Sequence, residues 1–136
     1  MADPLTGRVI RAAIAVHSEL GPGLLESTYH ACLSHEFMKA SLAFEHQVRL
    51  PVKYDSINLE AGYRIDFLVE GEVIVELKSV TRLLPLHVAQ LLTYLRLSHH
   101  RVGLLINFNV PHLRDGIKRV VNGYRVPALR IIDPDR

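Results

Sequence analysis

The sequence predicts an α/β fold, a small mixed β-sheet flanked by helices, and three observations support this class. Two helical patterns precede all strand patterns, a hydrophobic hairpin covers residues 62–79, and a helix then separates that hairpin from another apolar strand. A strand, a helix and a further strand require a crossover connection. The length of 136 residues, with 49% hydrophobic and 22% charged side chains, suits a single domain with one core over residues 1–136.

Two helices are predicted at the start of the chain. Asp3 and Pro4 provide a cap and a first turn, and apolar residues at helical spacing continue to about Leu20. The Gly-Pro-Gly of residues 21–23 ends this pattern, and a second helix is predicted over residues 24–38. We expect its buried side to consist of Leu25, Tyr29, Cys32, Leu33 and Phe37.

A strand with a proline inside it follows the helices. Residues 42–54 alternate in part, and Pro51 places this strand at a sheet edge or bends it. Residues 55–58 have turn composition, so the strand is predicted to lead into the hairpin as a meander.

The hairpin that follows is the central feature of the sequence. Both arms are rich in Val, Ile, Leu and Phe, and the Glu-Gly-Glu of residues 70–72 supplies the glycine that a three-residue loop needs. This loop pairs Val69 with Val73 and therefore places Asp66 opposite Glu76.

Alternation of side chains assigns the hairpin residues to two faces. One face is predicted to carry the charged residues Arg64, Asp66, Glu76 and Lys78. The other is predicted to be apolar, with Ile65, Phe67, Val69, Val73, Val75 and Leu77.

The opposed carboxylates predict a metal site. Asp66 and Glu76 repel each other across the strands unless a cation lies between them, and hard ions such as Mg²⁺ take oxygen ligands. Lys78 could then contact an attacking water or the charge developing on a phosphate. The alternative is an ordinary hairpin with a solvated charged face. An Asp and a Glu-x-Lys together on such hydrophobic strands favour the metal site.

Glu26 has two interpretations. It lies in the first turn of the second helix, where the helix dipole favours a carboxylate, or it is a third carboxylate that reaches Asp66 and Glu76. Periodicity alone favours the dipole explanation.

The remaining elements are a helix, a strand and a tail. Pro85 begins a helix to about Ser98, predicted to be well buried, on which His87, Gln90 and Tyr94 form one stripe. Residues 101–108 are predicted to be a buried strand. The tail is predicted to form a short helix near residues 112–121 and a last extended piece, with basic side chains at Arg114, Lys118, Arg119, Arg125, Arg130 and Arg136.

Composition argues against several classes of protein. Cys32 is the single cysteine, which excludes an internal disulfide and a cysteine-based metal cluster. No apolar run has the roughly 20 residues of a membrane span, and no secretory signal is recognisable, so a cytoplasmic location is expected. The net charge of +2 permits a nucleic-acid partner without requiring one. Phosphate-loop, zinc-protease and Gly-x-Ser-x-Gly motifs are lacking.

The order of these motifs resembles a known superfamily. An Asp on one strand, Glu-x-Lys on the next and a helix with Gln90 and Tyr94 resemble the PD-(D/E)XK nuclease-like superfamily, which has the restriction-endonuclease-like fold. Residues 23–29 match the motif of the GxxExxY protein family, and the resemblance extends over about residues 10–108. The proline of the superfamily name is replaced here by Ile65.

The resemblance implies roles for individual residues. Asp66 and Glu76 would bind the metal, Lys78 would be the catalytic lysine, and Glu26 would complete the metal shell. Tyr29 belongs to the helix motif and would support the site. The Gln-x-x-x-Tyr element, Gln90 and Tyr94, would organise the site or contact nucleic acid, also in a supporting role.

The expected function is Mg²⁺- or Mn²⁺-dependent hydrolysis of phosphodiester bonds in DNA or RNA. The alternative is a catalytically silent module that binds nucleic acid or a protein partner. A homodimer is compatible with the sequence, and no membrane partner is expected.

Overall fold

The computed structural model describes residues 3–123 of the chain. Two α-helices are followed by five β-strands, a third α-helix and two further β-strands, and a short 3-10 turn at Leu113–Gly116 lies between the last two strands. The helices are α1 (Pro4–Leu20), α2 (Glu26–Lys39) and α3 (Pro85–Ser98). The strands are β1 (Phe44–Arg49), β2 (Val52–Tyr54), β3 (Ile57–Leu59), β4 (Arg64–Val69), β5 (Val73–Lys78), β6 (Val102–Asn107) and β7 (Ile117–Val121). None of the helices described is long and apolar enough to cross a membrane.

Five strands form the main sheet in the order β1-β4-β5-β6-β7, so β5 is the central strand. The β5–β6 pair is parallel and the other pairs of this sheet are antiparallel. Core residues of α1 and α2 pack with one set of strand residues, and those of α3 pack with another set. The chain therefore has the predicted mixed sheet flanked by helices, and β5 places Glu76 and Lys78 at its centre.

The two N-terminal helices agree with the prediction except at one boundary. Asp3 caps α1 by accepting hydrogen bonds from the backbone N–H groups of Leu5 (2.9 Å) and Thr6 (3.2 Å). Helix α2 begins at Glu26, two residues later than predicted. Leu25 therefore precedes the helix and is 73% exposed, so its expected place on the buried side is wrong.

The region predicted as one strand and a turn is two separate units. Pro51 ends the first strand, and β1 is an edge strand of the main sheet, as expected. Strand β2 does not continue into the central hairpin, because it pairs with β3 in a separate two-stranded sheet. The prediction of a turn over residues 55–58 missed β3, whose three residues are too few and too exposed for a periodic pattern.

The central hairpin has the predicted register, with Val69 paired to Val73. The predicted apolar face is correct for the five other residues assigned to it, which all pack in the core with α1 and α2. It is wrong for Ile65, which packs with Ile74 in the core beneath α3. Alternation is interrupted at this point of the sheet. Gln47 on β1 is left-handed (φ 54°), and pairing of β4 with β5 ends at Phe67 and Val75.

Helix α3 has the predicted bounds but a narrower buried face. Its buried side chains are Leu91, Tyr94 and Leu95, whereas Leu86 is 74% exposed. The helix packs against one side of the sheet only, so the prediction of a well-buried helix is wrong. Strand β6 follows and runs parallel to β5, which confirms the crossover.

The predicted helix near residues 112–121 is wrong. After the 3-10 turn, residues 117–121 form β7, which pairs antiparallel with β6 and closes that edge of the sheet. Pairing with the buried strand β6 therefore determines the conformation of residues 117–121. The predicted last extended piece, with Arg125, Arg130 and Arg136, lies outside the described residues.

Asn107 fixes the chain just after the central strand. It pairs with Lys78 across β5 and β6 and is 1% exposed. Its Oδ1 accepts from the Val80 N–H at 3.0 Å, and its Nδ2 donates to the Val80 carbonyl at 3.0 Å. The Phe108 N–H donates to the Lys78 carbonyl at 3.0 Å. These bonds determine where β5 ends and hence where Lys78 lies.

Asn107→Ala is expected to lower the free energy of unfolding by about 1–3 kcal/mol, because the N–H groups of Val80 and Asn109 lose their acceptor and the Val80 carbonyl keeps only the Asn109 side chain as a donor. Chemical denaturation monitored by circular dichroism measures this change. Asn58→Ala, on the exposed strand β3, is the matched control and should have little effect. Equal stability of the two variants would contradict the role given to Asn107.

Candidate active site

Asp66 and Glu76 lie where the ladder between β4 and β5 stops, and their side chains replace its backbone bonds. The Asp66 N–H donates to Glu76 Oε2 at 2.8 Å, and the Leu77 N–H donates to Asp66 Oδ2 at 2.8 Å. The strands therefore separate while each carboxylate stays fixed by the opposite strand. One oxygen of each carboxylate has no hydrogen-bond donor among residues 3–123. Both remaining oxygens are available to a ligand.

Burial makes this pair electrostatically costly. Burial, and then repulsion by the Asp66 carboxylate, raise the pKa of Glu76 to about 8. Burial also raises the pKa of Asp66, although the hydrogen bond from Leu77 opposes this shift. Glu76 is 7% exposed and the more deeply buried of the two, so burial favours its neutral form more strongly than that of Asp66.

Lys78 lies two residues beyond Glu76 and acts on all the carboxylates of the site. Its charge lowers the pKa of Asp66, of Glu76 and of Glu26. Lys78 makes no ion pair within 4.0 Å among the residues that the structure describes. Its ammonium group is therefore close enough to influence the carboxylates and remains available to another anion.

Glu26 approaches the same site from the first turn of α2. Partial burial, and then the Asp66 carboxylate, raise its pKa, although the Glu26 residue remains exposed. Tertiary structure thus brings together the three carboxylates and the lysine that the resemblance implied: Glu26, Asp66, Glu76 and Lys78.

Tyr29 has a different place from the charged residues. It is fully buried and stacks on Phe108, with ring centroids 4.4 Å apart. Its hydroxyl donates to the Gly21 carbonyl at 2.6 Å and accepts from the Leu24 N–H at 3.2 Å. The Ser79 hydroxyl donates to the Leu24 carbonyl at 2.6 Å. Tyr29 therefore holds the loop between α1 and α2, and the Ser79 hydroxyl links this loop to the residues just after β5.

The Gln and Tyr of α3 differ in their exposure. Tyr94 is 7% exposed, and burial, followed by the Glu76 carboxylate, raises its pKa. Its ring lies 6.2 Å from that of Tyr63, measured between centroids. Gln90 is exposed one turn earlier and has no hydrogen-bond partner among the described residues. Tyr94 thus belongs to the electrostatic surroundings of the acid pair, and Gln90 faces solvent.

His30 is a residue at this site that sequence reasoning missed. It stacks on Phe67 with ring centroids 4.1 Å apart, and its Nε2 lies 3.5 Å from Nδ1 of His46. Burial lowers the pKa of His30, while the Asp66 carboxylate acts in the opposite direction. One signal was present in the sequence, since His30 follows Glu26 by four residues and must share its helix face.

The donor set can be compared with the needs of a divalent ion. No three His, Cys, Asp or Glu side chains within residues 3–123 already enclose a metal position. Mg²⁺, however, is usually held by one or two carboxylates, with waters and substrate phosphates completing its shell. Asp66 and Glu76, each with one uncommitted oxygen and with raised pKa values, match this smaller donor set.

Ionisation of Glu76 should destabilise the metal-free fold as the pH increases. The folded state raises its pKa from 4.5 to about 8, so the folded chain binds the proton more tightly than the unfolded chain does. Stability is therefore lost between these two values. In EDTA at about pH 8, Glu76→Gln should be more stable than the wild type by more than about 1 kcal/mol. Urea unfolding across this pH range measures the difference.

Glu72→Gln removes an exposed carboxylate from the loop of the same hairpin and serves as the control. It should follow the wild type at each pH. The lowered pKa of His30 makes the fold more stable as the pH increases, which opposes the effect of Glu76. Stabilities are therefore compared between variants at the same pH. An unchanged pH dependence in Glu76→Gln would contradict the assignment of the buried proton to Glu76.

Comparison with known families agrees with this geometry. The family model described as PD-(D/E)XK nuclease superfamily matches residues 3–120, which include every strand and helix up to most of β7. Searches of curated proteins and of solved structures gave no match. Nucleases of this superfamily generally use divalent metal ions, and their name implies a nucleic-acid substrate. The chain belongs to the PD-(D/E)XK nuclease superfamily.

Proposed function

We propose that this chain is a nuclease that hydrolyses phosphodiester bonds with Mg²⁺ or Mn²⁺. The observation that carries the proposal is the buried Asp66–Glu76 pair, with Lys78 beside it and free of ion pairs within the described residues. A buried pair of like charges is costly unless a cation or a proton compensates it. Accepting two backbone N–H groups uses only one oxygen of each carboxylate, and amide side chains could accept them without charge, which supports a role of the charges in chemistry.

Each residue of the site would have a distinct task. Asp66 and Glu76 would hold the ion through their uncommitted oxygens, and Glu26 would accept hydrogen bonds from its water ligands. The bound ion would supply Lewis acidity toward the scissile phosphate and lower the pKa of a water. The Lys78 ammonium would orient the attacking water or donate a hydrogen bond to the phosphate oxygen that gains charge.

We also propose a narrower family membership and a supporting role for α3. The GxxExxY motif at residues 23–29 supports assignment to the GxxExxY family. Its Tyr29 would keep Glu26 in place through the loop bonds described above. Tyr94 would limit solvent at the acid pair, and the exposed Gln90 would contact substrate. The active unit would be a single domain, alone or as a homodimer.

A second candidate function is binding of nucleic acid without cleavage. It is favoured by one observation, the lack of three converging donor side chains in the described part of the chain. In that case the carboxylates would stay partly protonated and Lys78 would contact a phosphate without chemistry. Retained binding that does not respond to metal would support this candidate.

Cleavage should depend on a divalent metal ion and on Lys78. Wild-type protein should cut at least one member of a panel of DNA and RNA, linear, circular and branched, with Mg²⁺ or Mn²⁺ and not with EDTA. Lys78→Ala should lower the rate by about 100-fold or more, as loss of a transition-state donor does elsewhere. Gel analysis of labelled substrates measures both.

Lys118→Ala, an exposed lysine on the edge strand β7, is the matched control and should cut normally. It passes through the same purification, so a contaminating nuclease would appear equally in both variants. Equal residual cleavage by Lys78→Ala and wild type would contradict the catalytic assignment.

Glu26 should contribute to metal binding, whereas Glu36, another carboxylate of α2, should not. Glu26→Gln should raise the Mg²⁺ concentration needed for half-maximal cleavage, since it removes a negative charge near the ion. Glu36→Gln, ten residues further along α2, removes a carboxylate that pairs with Lys39 at 3.4 Å and should leave the Mg²⁺ requirement unchanged. Titration of cleavage rate against Mg²⁺ compares the two. Equal Mg²⁺ requirements would place Glu26 outside the metal shell and leave the helix dipole as its explanation.

A further inference from the structure

A groove of about 560 Å³ runs beside the edge strand β1 on the α3 side of the sheet. Its floor is apolar and includes Leu50, Ile65 and Leu68. Its rim carries Arg49 and Lys53 on one side and Arg96 on the other, and none of its described lining residues is acidic. Such a combination suits a ligand that is a polyanion with exposed apolar faces.

The cationic rim is available to a ligand. Lys53 and Arg96 are exposed and form no ion pair among the described residues. Arg49 contacts Glu60 at 3.2 Å, with side chains 74% and 61% exposed. An ion pair so exposed contributes little free energy, so a phosphate can take the place of Glu60.

Strand β4 connects the floor of the groove to the candidate active site. Ile65 of its floor directly precedes Asp66, and the Leu50 N–H donates to the Tyr63 carbonyl at 2.9 Å. Tyr63 is 46% exposed, and its ring centroid lies 6.2 Å from that of Tyr94. Tyr94 in turn lies close enough to Glu76 for the Glu76 carboxylate to contribute to the raised pKa of Tyr94. A nucleic-acid strand that continues from the groove toward the acid pair would therefore pass Tyr63.

We propose that this groove binds a single strand of nucleic acid and leads it to Asp66 and Glu76, with Tyr63 as a stacking platform for one base. Lys53, Arg96 and Arg49 contact phosphates, and the apolar floor contacts unpaired base faces. A duplex keeps its base faces stacked inside, so such a floor could meet only its backbone and base edges. This inference deepens the proposed function, on which it rests, by defining the substrate as single-stranded at the groove.

Binding of labelled oligonucleotides in EDTA tests the groove without cleavage. Fluorescence anisotropy compares a mixed-sequence single strand, as DNA and as RNA, with the matching duplex. Wild type should bind the single strands at least about tenfold more tightly than the duplex, because only unpaired bases contact the floor. Equal affinity for duplex would overturn the proposal.

Charge-reversal variants locate the binding surface. Arg96→Glu and Lys53→Glu should each weaken single-strand binding about tenfold or more and reduce the dependence of affinity on salt. Lys118→Glu has the same change of charge on β7, at the opposite edge of the sheet, and should retain at least half of the wild-type affinity. Similar losses in all three variants would show a general charge effect and overturn the assignment.

Tyr63 separates stacking from charge. Tyr63→Ala should weaken single-strand binding by roughly five- to a hundredfold, and Tyr63→Phe should restore it because a phenyl ring still stacks. Competition by poly-glutamate as strong as that of an unlabelled single strand would show that any polyanion suffices, and would contradict the proposal.

The two proposals can fail separately. Single-strand binding that depends on Arg96 and Tyr63, with no metal-dependent cleavage, would retain the groove and remove the nuclease. Metal-dependent cleavage lost in Lys78→Ala but unaffected by Arg96→Glu and Tyr63→Ala would retain the nuclease and remove the groove.

Discussion

The exchange of hydrogen bonds between Asp66 and Glu76 is the interaction on which the rest of the site depends. Each carboxylate accepts a backbone N–H from the opposite strand at 2.8 Å, so the strands separate without leaving those N–H groups unpaired. The same bonds hold two acids next to each other in a place where burial disfavours their ionised forms. Two carboxylates held together in this way attract either a proton or a metal cation.

The elements around this pair serve to position its neighbours. Asn107 fixes the chain beyond Lys78, and the Ser79 hydroxyl joins that segment to the loop before α2. Tyr29 binds the same loop from the core, so Glu26 and Lys78 are placed by connected hydrogen bonds. Backbone that is held by such bonds places the two charged side chains near the acid pair before a ligand arrives.

Much of this arrangement could be predicted from local patterns. The register of the central hairpin followed from the Glu-Gly-Glu loop, and α1 and α3 followed from their prolines and apolar spacing. Strand β7 could not be predicted, because its conformation depends on pairing with β6, which its local sequence does not show. The place of Ile65 could not be predicted either, because it depends on where β4 and β5 separate.

The fold class could be read from the order of helical and strand patterns, and the central hairpin with its facing Asp66 and Glu76 could be read from local sequence because its pairs are close in the chain. The approach of Glu26 and His30 from α2, the approach of Tyr94 from α3 and the basic rim of the groove beside β1 depend on how the elements pack. The physical reason is that burial and the electrostatic field at a carboxylate depend on groups far away in sequence, which periodicity does not record.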